Sequence, residues 1–187
     1  MSTTATAPTS QTVTNLLAAY EGESNASVKY SAFAIRAEVE GYFRAAALFR
    51  AAARAEQVHA AHHARILAKL GAVPTATFQP FEVKTTTVNL ATAKAGEEYE
   101  RDVMYADFIK EAEAAGQKDA VRTFTLASKA ENIHAQLYGE ALANLEAQRV
   151  RTTFYVCLVC GEVSDKPEDT ETCPICGAKE PSFEKVR

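Results

Sequence analysis

The sequence predicts an all-α protein, a four-helix bundle with one long crossover, followed by a small C-terminal module held together by a metal. Three observations support this prediction. Residues 11–149 are poor in Gly and Pro and rich in Ala, Glu, Leu, Arg and Lys, a composition that favours helix. Glycine and proline residues divide this stretch into four long segments. All 4 cysteines of the 187-residue chain follow residue 156.

The four segments are long, as the helices of a bundle are. Gly41, Gly71 and Gly116 follow the first three segments as turn or C′ residues. Each helix should contain about 28–32 residues and measure roughly 42–48 Å. The predicted helices span about 12–40, 42–70, 88–115 and 118–149.

The connections between these helices predict the topology. Almost no linker separates the first helix from the second or the third from the fourth, so each pair should form an antiparallel hairpin. The segment "GAVPTATFQPFEVKTTTVN" between the hairpins is long enough to run the length of a bundle. Two hairpins joined by one such crossover give the ferritin-like arrangement.

Each hairpin carries the same pattern of metal-binding residue types. A Gly-Glu pair in its first helix is followed 33 or 34 residues later by an E-x-x-H motif. A single E-x-x-H on an Ala-rich helix is usually a solvated pair, but two copies at matched spacing favour a ligand set on facing helices. Carboxylates and imidazoles suit iron or manganese, and four carboxylates neutralise two divalent ions. The predicted ligands are Glu23, Glu56, His59, Glu97, Glu131 and His134.

The repeat is imperfect at one position. Glu100 lies one turn after Glu97, whereas the equivalent residue of the first hairpin is Ala26. A fifth carboxylate beside one metal favours the higher charge of an oxidised metal pair. Glu100 is therefore predicted to be a redox-dependent ligand.

Three further side chains lie near this pattern. His62 and His63 fall outside it and are expected at the surface or beside the site. Tyr30 lies seven residues after Glu23 and shares its face of the helix. Tyr30 is therefore either a core aromatic residue or a hydrogen-bond partner of a ligand.

The C-terminal segment, 152–187, predicts one tetrahedral thiolate site. About 36 residues cannot bury enough surface to fold without a staple. Structural zinc and a single redox iron both accept four thiolates. Because a neighbouring oxidant-consuming centre needs an electron supply, iron is the favoured ion. The predicted ligands, from two C-x-x-C motifs, are Cys157, Cys160, Cys173 and Cys176.

Composition excludes several other classes. The net charge of −4 opposes nucleic-acid binding. No apolar run is long enough to span a membrane. Residues 1–11 are expected to be a disordered lead-in without a secretory signal, so the cytoplasm is the expected compartment. The predicted domains are the bundle, 12–149, and the cysteine module, 152–187.

The motifs "AAYEGESNASVKY", "AEQVHA", "AGEEYE", "AENIHAQLY" and "YVCLVCGEV…CPICGA" resemble those of the rubrerythrin family, from about residue 15 to the C-terminus. The resemblance implies a non-haem di-iron peroxidase that reduces hydrogen peroxide to water, with a rubredoxin-like Fe(Cys)4 centre relaying electrons. It implies that Glu56 and Glu131 bridge the irons and that Glu100 exchanges with His59 on reduction. It also implies tyrosines beside the ligands at positions 30 and 105, although regular helix geometry supports Tyr105 less well.

The resemblance also implies partners. An external donor, rubredoxin or an NAD(P)H-dependent reductase, would supply electrons, and the chain would form a homodimer or a higher homo-oligomer. A single bundle with its cysteine module at one end is expected to separate the two centres too far for efficient transfer. Two alternatives stay open at this point: a ferritin-like ferroxidase or iron-handling protein, and a non-enzymatic di-metal or zinc-ribbon scaffold.

Overall fold

The computed structural model describes residues 10–187, and it has the predicted fold class. Most of the predicted lead-in lies outside these residues; within them, Ser10 caps the first helix and Gln11 begins it. No helix in the described range combines the length and the apolar character needed to cross a bilayer. The elements are α1 (Gln11–Val39), α2 (Phe43–Lys69), α3 (Thr86–Tyr99), a π-helical turn (Glu100–Met104), α4 (Tyr105–Ala114), α5 (Lys118–Ala143), a 3₁₀ turn (Glu146–Arg149), β1 (Phe154–Cys157), β2 (Val163–Ser164), a second 3₁₀ turn (Pro167–Thr170) and β3 (Phe183–Val186).

Two glycines close the two helical hairpins. Gly41 and Gly116 adopt φ angles of +79° and +67°, in the left-handed region that only glycine enters without strain. The next residue then turns back, as when the N–H of Tyr42 donates to the carbonyl of Ala37 at 2.9 Å. The hairpins are α1 with α2, and α3 and α4 with α5.

The predicted crossover runs along α1. Near its beginning, the Asn25 side chain donates to the carbonyl of Thr77 at 3.0 Å and accepts from the N–H of Gln79 at 2.8 Å. At its end, the N–H of Thr86 donates to the Glu40 carboxylate at 2.8 Å. Since Asn25 and Glu40 are fifteen residues apart on one helix, the connection spans roughly 22 Å of the bundle.

Small side chains let the helices approach closely, and aromatic residues fill the two ends of the bundle. α2 buries an alanine-rich stripe against α1. One apolar cluster contains Tyr30, Phe49 and Tyr138. A second contains Tyr105 and Phe124. The predicted metal ligands lie between these clusters.

Two predicted helices differ from those observed. The third contains the π-helical turn, in which the N–H of Tyr105 donates to the carbonyl of Glu100, five residues back. The fourth ends at Ala143 instead of Arg149. The Asn144 side-chain oxygen accepts from the N–H of Ala147 at 3.1 Å, so it caps a new turn and competes with the helix.

The cysteine module is a three-stranded antiparallel sheet in the order β2–β1–β3. Arg44 and Arg54 of α2 pair with Asp165 and Glu184 of the module, at 2.5 and 2.8 Å. The module therefore lies beside α2, along the bundle. The expectation that one chain would separate its two centres is wrong, because the chain folds back after α5 and places the module against the middle of its own bundle. The exact division at 149–152 stays a prediction.

Candidate metal centres

Four helical segments bring the six repeat residues to one buried place. Glu23 comes from α1, Glu56 and His59 from α2, and Glu97 from α3; α5 supplies the remaining two. The spacing of three residues places each E-x-x-H pair on the inner side of its helix, as predicted. Their side chains are at most 2% exposed: Glu23, Glu56, His59, Glu97, Glu131 and His134.

These residues form two overlapping groups whose potential ligand atoms lie within 4.8 Å of one another. Glu56 and Glu131 belong to both groups, as two carboxylates predicted to bridge a pair of metals would. The first group adds Glu23 and His59, and the second adds Glu97 and His134. Each group thus offers three carboxylates and one imidazole.

The buried polar atoms that lack hydrogen-bond partners in these side chains suit the binding of two cations. Buried polar atoms nearly always have partners, so a cluster of buried atoms without them needs an explanation. His134 Nδ1 lies 2.8 Å from a Glu131 oxygen, yet neither atom has a hydrogen-bond partner among the described residues, as expected when both face a shared ion. The carboxylate oxygens in the same condition are Glu23 Oε2, Glu56 Oε1, Glu100 Oε2 and both oxygens of Glu97 and of Glu131.

Hydrogen bonds fix which nitrogen of each histidine faces the carboxylates. His59 Nε2 lies 2.9 Å from the carbonyl oxygen of Cys160, and His134 Nε2 lies 3.0 Å from that of Gly161. A carbonyl oxygen can only accept, so each Nε2 carries a proton and each Nδ1 is the nitrogen that faces the carboxylates. Metal-binding histidines usually donate their other N–H in this way. Here the cysteine module itself provides the accepting carbonyls.

The electrostatics of the cluster without ions are unfavourable. Burial, reinforced by neighbouring carboxylates, raises the pKa of Glu56 and of Glu97 well above the usual value. Burial also raises the pKa of Glu131, but the two histidines outweigh this effect and lower it. Bound cations would remove this repulsion and allow the carboxylates to ionise together.

Glu100 lies at the π-helical turn, outside both groups. One of its oxygens is nevertheless buried without a partner. Burial followed by the charge of Glu23 raises the Glu100 pKa, which places Glu23 as the carboxylate whose charge acts on it most. A carboxylate next to the cluster but outside its close groups is consistent with the predicted role as an exchangeable ligand, which stays a prediction.

The π-helical turn also explains why the Tyr105 side chain points into the cluster. In a regular α-helix, Tyr105 would be rotated by about 80° from Glu97. The wider turn shifts it inward, and its hydroxyl donates to Glu23 Oε1. Tyr105 is completely buried. It therefore holds a carboxylate of the first group, as the family resemblance implied and helix periodicity did not.

Tyr30 is buried at the opposite end of the cluster. Its ring centroid lies 5.8 Å from that of Tyr138, and burial followed by the charge of Glu97 raises its pKa. Within the described residues, no hydrogen bond joins its hydroxyl to a predicted ligand. It packs as a core aromatic residue, one of the two readings open from the sequence.

Sequence reasoning missed one buried side chain, Tyr138, and left the position of His63 open. His63 is completely buried and its Nε2 lies 3.0 Å from the Tyr105 hydroxyl; it had been expected at the surface or beside the site. Tyr138 is completely buried and its hydroxyl has no hydrogen-bond partner within residues 10–187. Both follow a predicted ligand, His59 or His134, by four residues, so the i+4 spacing was the available signal. His62, by contrast, is half-buried at the outer side of α2.

The four cysteines form the predicted cluster. The Sγ atoms of Cys157 and Cys176 are 3.7 Å apart, and those of Cys160 and Cys173 are 3.5 Å apart. These separations suit four thiolates around one ion better than a disulfide, which requires about 2 Å. Two apolar side chains of the first knuckle, Leu158 and Val159, are exposed beside it.

Comparison with known proteins agrees with this geometry. The profile of the rubrerythrin family matches residues 14–142. Nigerythrin of Nitratidesulfovibrio vulgaris is 36% identical over 173 residues, which cover 92% of this chain and 85% of the relative. Rubrerythrin of Porphyromonas gingivalis is 32% identical over 182 residues, with coverage of 95% and 91%.

Solved structures extend the agreement to the whole chain. The all-ferrous, fully reduced state of nigerythrin superposes with a TM-score of 0.86 at 35% identity, covering 99% of this chain and 91% of that one. A bacterioferritin of Desulfovibrio desulfuricans matches with a TM-score of 0.67 at 22% identity, covering 74% and 82%, which shows the shared bundle fold alone. The carboxylate–histidine cluster is thus a candidate di-iron site and the cysteine cluster a candidate rubredoxin-like iron site. By its sequence profile, its relatives and its fold, the chain belongs to the rubrerythrin family.

Proposed function

We propose that this protein is an oxidoreductase that reduces hydrogen peroxide to water at a di-iron centre and receives its electrons through an Fe(Cys)4 centre. Membership of the rubrerythrin family supports the broader class of di-iron oxidative-stress proteins. The single observation that carries the finer proposal is the direct contact between the two clusters. A redox centre packed against an oxygen-reactive centre has a use in a reductase, and has none in a storage protein.

The residues that would hold the irons follow from the two groups of ligand atoms. Glu23 and His59 would bind one iron, Glu97 and His134 the other, with Glu56 and Glu131 shared and Glu100 in exchange with His59. The cysteine cluster would hold the third iron, although zinc also fits four thiolates. When bound, the two irons would supply one electron each for cleavage of the peroxide O–O bond.

The protein side chains hold this set in place. The carbonyls of Cys160 and Gly161 fix the tautomers and ring planes of the two histidines. The Tyr105 hydroxyl fixes one oxygen of Glu23. The surrounding aromatic and alanine side chains exclude bulk water, so each electrostatic interaction inside acts at a low effective dielectric constant.

Electrons would reach the di-iron centre along the His59–Cys160 hydrogen bond. Cys160 is also a member of the cysteine cluster, so this path between the two candidate centres consists of two ligand residues joined by one hydrogen bond. The external donor, rubredoxin or an NAD(P)H-dependent reductase, would approach the exposed Leu158 and Val159. A homodimer and a cytoplasmic location belong to the same proposal.

Stopped-flow spectroscopy tests the proposal directly. Fully reduced, iron-loaded protein is mixed anaerobically with hydrogen peroxide, and separately with oxygenated buffer. We expect the iron absorbance to return faster with peroxide than with dioxygen at equal concentration. Equal or faster oxidation by dioxygen would argue against a peroxidase.

An iron-handling function is the second candidate. The fold shared with bacterioferritin favours it, but storage needs a hollow shell of many subunits. Size-exclusion chromatography distinguishes the two, because a 24-subunit shell supports storage, whereas a dimer or small oligomer supports a peroxidase. A colourless protein with zinc in the cysteine cluster would favour the non-enzymatic scaffold instead.

A further inference from the structure

The two ends of the di-metal cluster are related by a pseudo-twofold pattern, but they differ in one respect. At each end, a tyrosine from one hairpin meets the residue four positions after the ligand histidine of the other hairpin. At one end these are Tyr30 and Tyr138, two phenol rings with centroids 5.8 Å apart. At the other end they are Tyr105 and His63, joined by a hydrogen bond of 3.0 Å. Only the second end therefore carries a side chain with two proton-exchanging nitrogens.

A continuous row of hydrogen bonds crosses this second end. Thr123 Oγ1 lies 3.3 Å from His63 Nδ1, and His63 Nε2 lies 3.0 Å from the Tyr105 hydroxyl. The Tyr105 hydroxyl in turn donates to Glu23 Oε1. Every member is buried: Thr123 is 7% exposed and the other three are at most 1% exposed. The row links α5 to α1 through side chains alone.

The donors and acceptors of this row all point the same way. The Glu23 carboxylate must accept, so the Tyr105 hydroxyl donates to it and accepts from His63 Nε2–H. With its proton on Nε2, His63 presents a lone pair on Nδ1, which accepts from the Thr123 hydroxyl. One proton can then move inward along the row in a concerted step, which leaves the His63 proton on Nδ1. His63 must return to the Nε2–H tautomer and both hydroxyls must rotate back before the next proton enters.

The outer end of the row reaches the protein surface. Thr123 lines a surface cavity of about 240 Å³, whose rim includes the exposed side chains of Arg65, Lys69 and Arg122. The knuckle residue Val159 lies on the same rim. Thr123 is therefore the member of the row through which a solvent proton would enter. At the opposite end of the cluster, the Tyr138 hydroxyl has no partner to continue a row in the part of the chain that the structure describes.

We propose that Thr123, His63 and Tyr105 form the proton inlet of the di-metal centre and deliver protons from this cavity to Glu23. The inference rests on the proposed peroxide reduction, which consumes two protons and two electrons: H2O2 + 2 H⁺ + 2 e⁻ → 2 H2O. The electrons come from the external one-electron donor through the cysteine cluster. The O–O bond breaks and two O–H bonds form, with both protons arriving singly through the inlet.

The kinetic test uses a substitution that removes a single hydroxyl. Thr123→Val keeps the side-chain volume but cannot donate to His63. Its matched control is Thr125→Val on the same helix, because the Thr125 hydroxyl bonds only the carbonyl of Val121, at 2.7 Å. The readouts are the single-turnover oxidation rate of iron-loaded protein by peroxide and its solvent deuterium isotope effect.

We expect Thr123→Val to lower this rate by about tenfold or more, the lower range of losses for proton-transfer groups. Its isotope effect and the dependence of the rate on deuterium fraction should also change. Thr125→Val should match the unmodified protein, and Thr123→Ser should restore both readouts. An unchanged rate and isotope effect in Thr123→Val would overturn the inlet.

A spectroscopic readout separates this inference from the proposed function. In the zinc-substituted full chain with ¹⁵N-labelled histidine, His63 should show a protonated Nε2 and an accepting Nδ1. Thr123→Val should shift the Nδ1 resonance, and Thr125→Val should not. If these shifts appear but reduced protein ignores peroxide, the function proposal fails while the hydrogen-bonded inlet stands. If His63 Nδ1 is insensitive to Thr123, the inlet itself is overturned.

Discussion

The His59 imidazole donates a hydrogen bond from Nε2 to the backbone carbonyl of Cys160, 2.9 Å away. A candidate ligand of the di-iron centre is thereby bonded to the backbone of a candidate ligand of the cysteine centre. His134 makes the equivalent bond to Gly161 at 3.0 Å. The ring orientation of both histidines, and hence the geometry of the di-iron centre, therefore depends on the docked position of the cysteine module.

Gly161 should be the most sensitive glycine of the module. It has a φ angle of +80°, and an added Cβ would overlap His59 Nε2. We expect Gly161→Ala to displace the module or rotate His59, with slower electron transfer and altered di-iron spectra. The measurement is the rate at which peroxide reoxidises the cysteine-bound iron, compared between Gly161→Ala and the unmodified protein.

Gly177→Ala is its matched control. Gly177 occupies the same place in the second knuckle with a φ angle of +74°, but apart from its chain neighbours no described residue lies within 4 Å of an added Cβ. Both substitutions incur the left-handed strain of about 1–2 kcal/mol, which thermal unfolding measures. Only Gly161→Ala should alter electron transfer. Equal kinetic effects in both variants would mean that the strain alone matters, and not the contact with His59.

The arginines of α2 should control docking of the module. Arg44→Gln with Arg54→Gln removes the ion pairs to Asp165 and Glu184, which are partly exposed, so the stability change should be at most about 1 kcal/mol for each pair. Reoxidation of the cysteine-bound iron by peroxide should nevertheless slow, because the module spends less time in contact. The control is Lys94→Gln, which removes an ion pair to Glu98 within α3. Unchanged kinetics in the double variant would show that these pairs do not hold the module.

Glu131 should determine iron binding at both positions of the di-iron site. It belongs to both ligand groups and is completely buried. Glu131→Gln keeps the size of the side chain but removes a charge shared by two cations, so iron binding at both positions should weaken. Metal analysis should then show loss of di-iron occupancy with the ferric–thiolate colour retained. Glu98→Gln is the control, since Glu98 is half-exposed and pairs with Lys94. Full occupancy in Glu131→Gln would contradict the bridging assignment.

Electron transfer between the centres should occur within one chain. A Glu131→Gln chain has an intact cysteine centre, and a Cys173→Ser chain has an intact di-iron centre. The two variants are mixed and allowed to re-assemble. The mixture should not regain steady-state peroxide reduction, because neither chain contains both centres intact. Recovery of turnover in the mixture would show that the cysteine module of one chain serves the di-iron centre of another.

The sequence predicted the helical bundle, its crossover and the convergence of the two E-x-x-H motifs with Glu23 and Glu97, because these depend on period and spacing along single helices. It could not predict features that depend on a local departure or on a distant contact. The π-helical turn moves Tyr105 by a fraction of a turn without any Gly or Pro signal. Asn144 ends α5 through a side-chain cap in a segment of good helix formers. The docking of Cys160 on His59 joins residues 101 positions apart, and no local pattern encodes it.

The most direct test of the central claim is Mössbauer spectroscopy of the full chain loaded with ⁵⁷Fe. Two coupled non-haem ferric ions bound by oxygen and nitrogen should appear together with one tetrahedral thiolate-bound iron, in a ratio of two to one. Addition of peroxide to the reduced protein should convert the coupled pair first. A spectrum with thiolate-bound iron alone, or with uncoupled iron at the carboxylates, would contradict the claim that Glu23, Glu56, Glu97 and Glu131 converge on two metal ions.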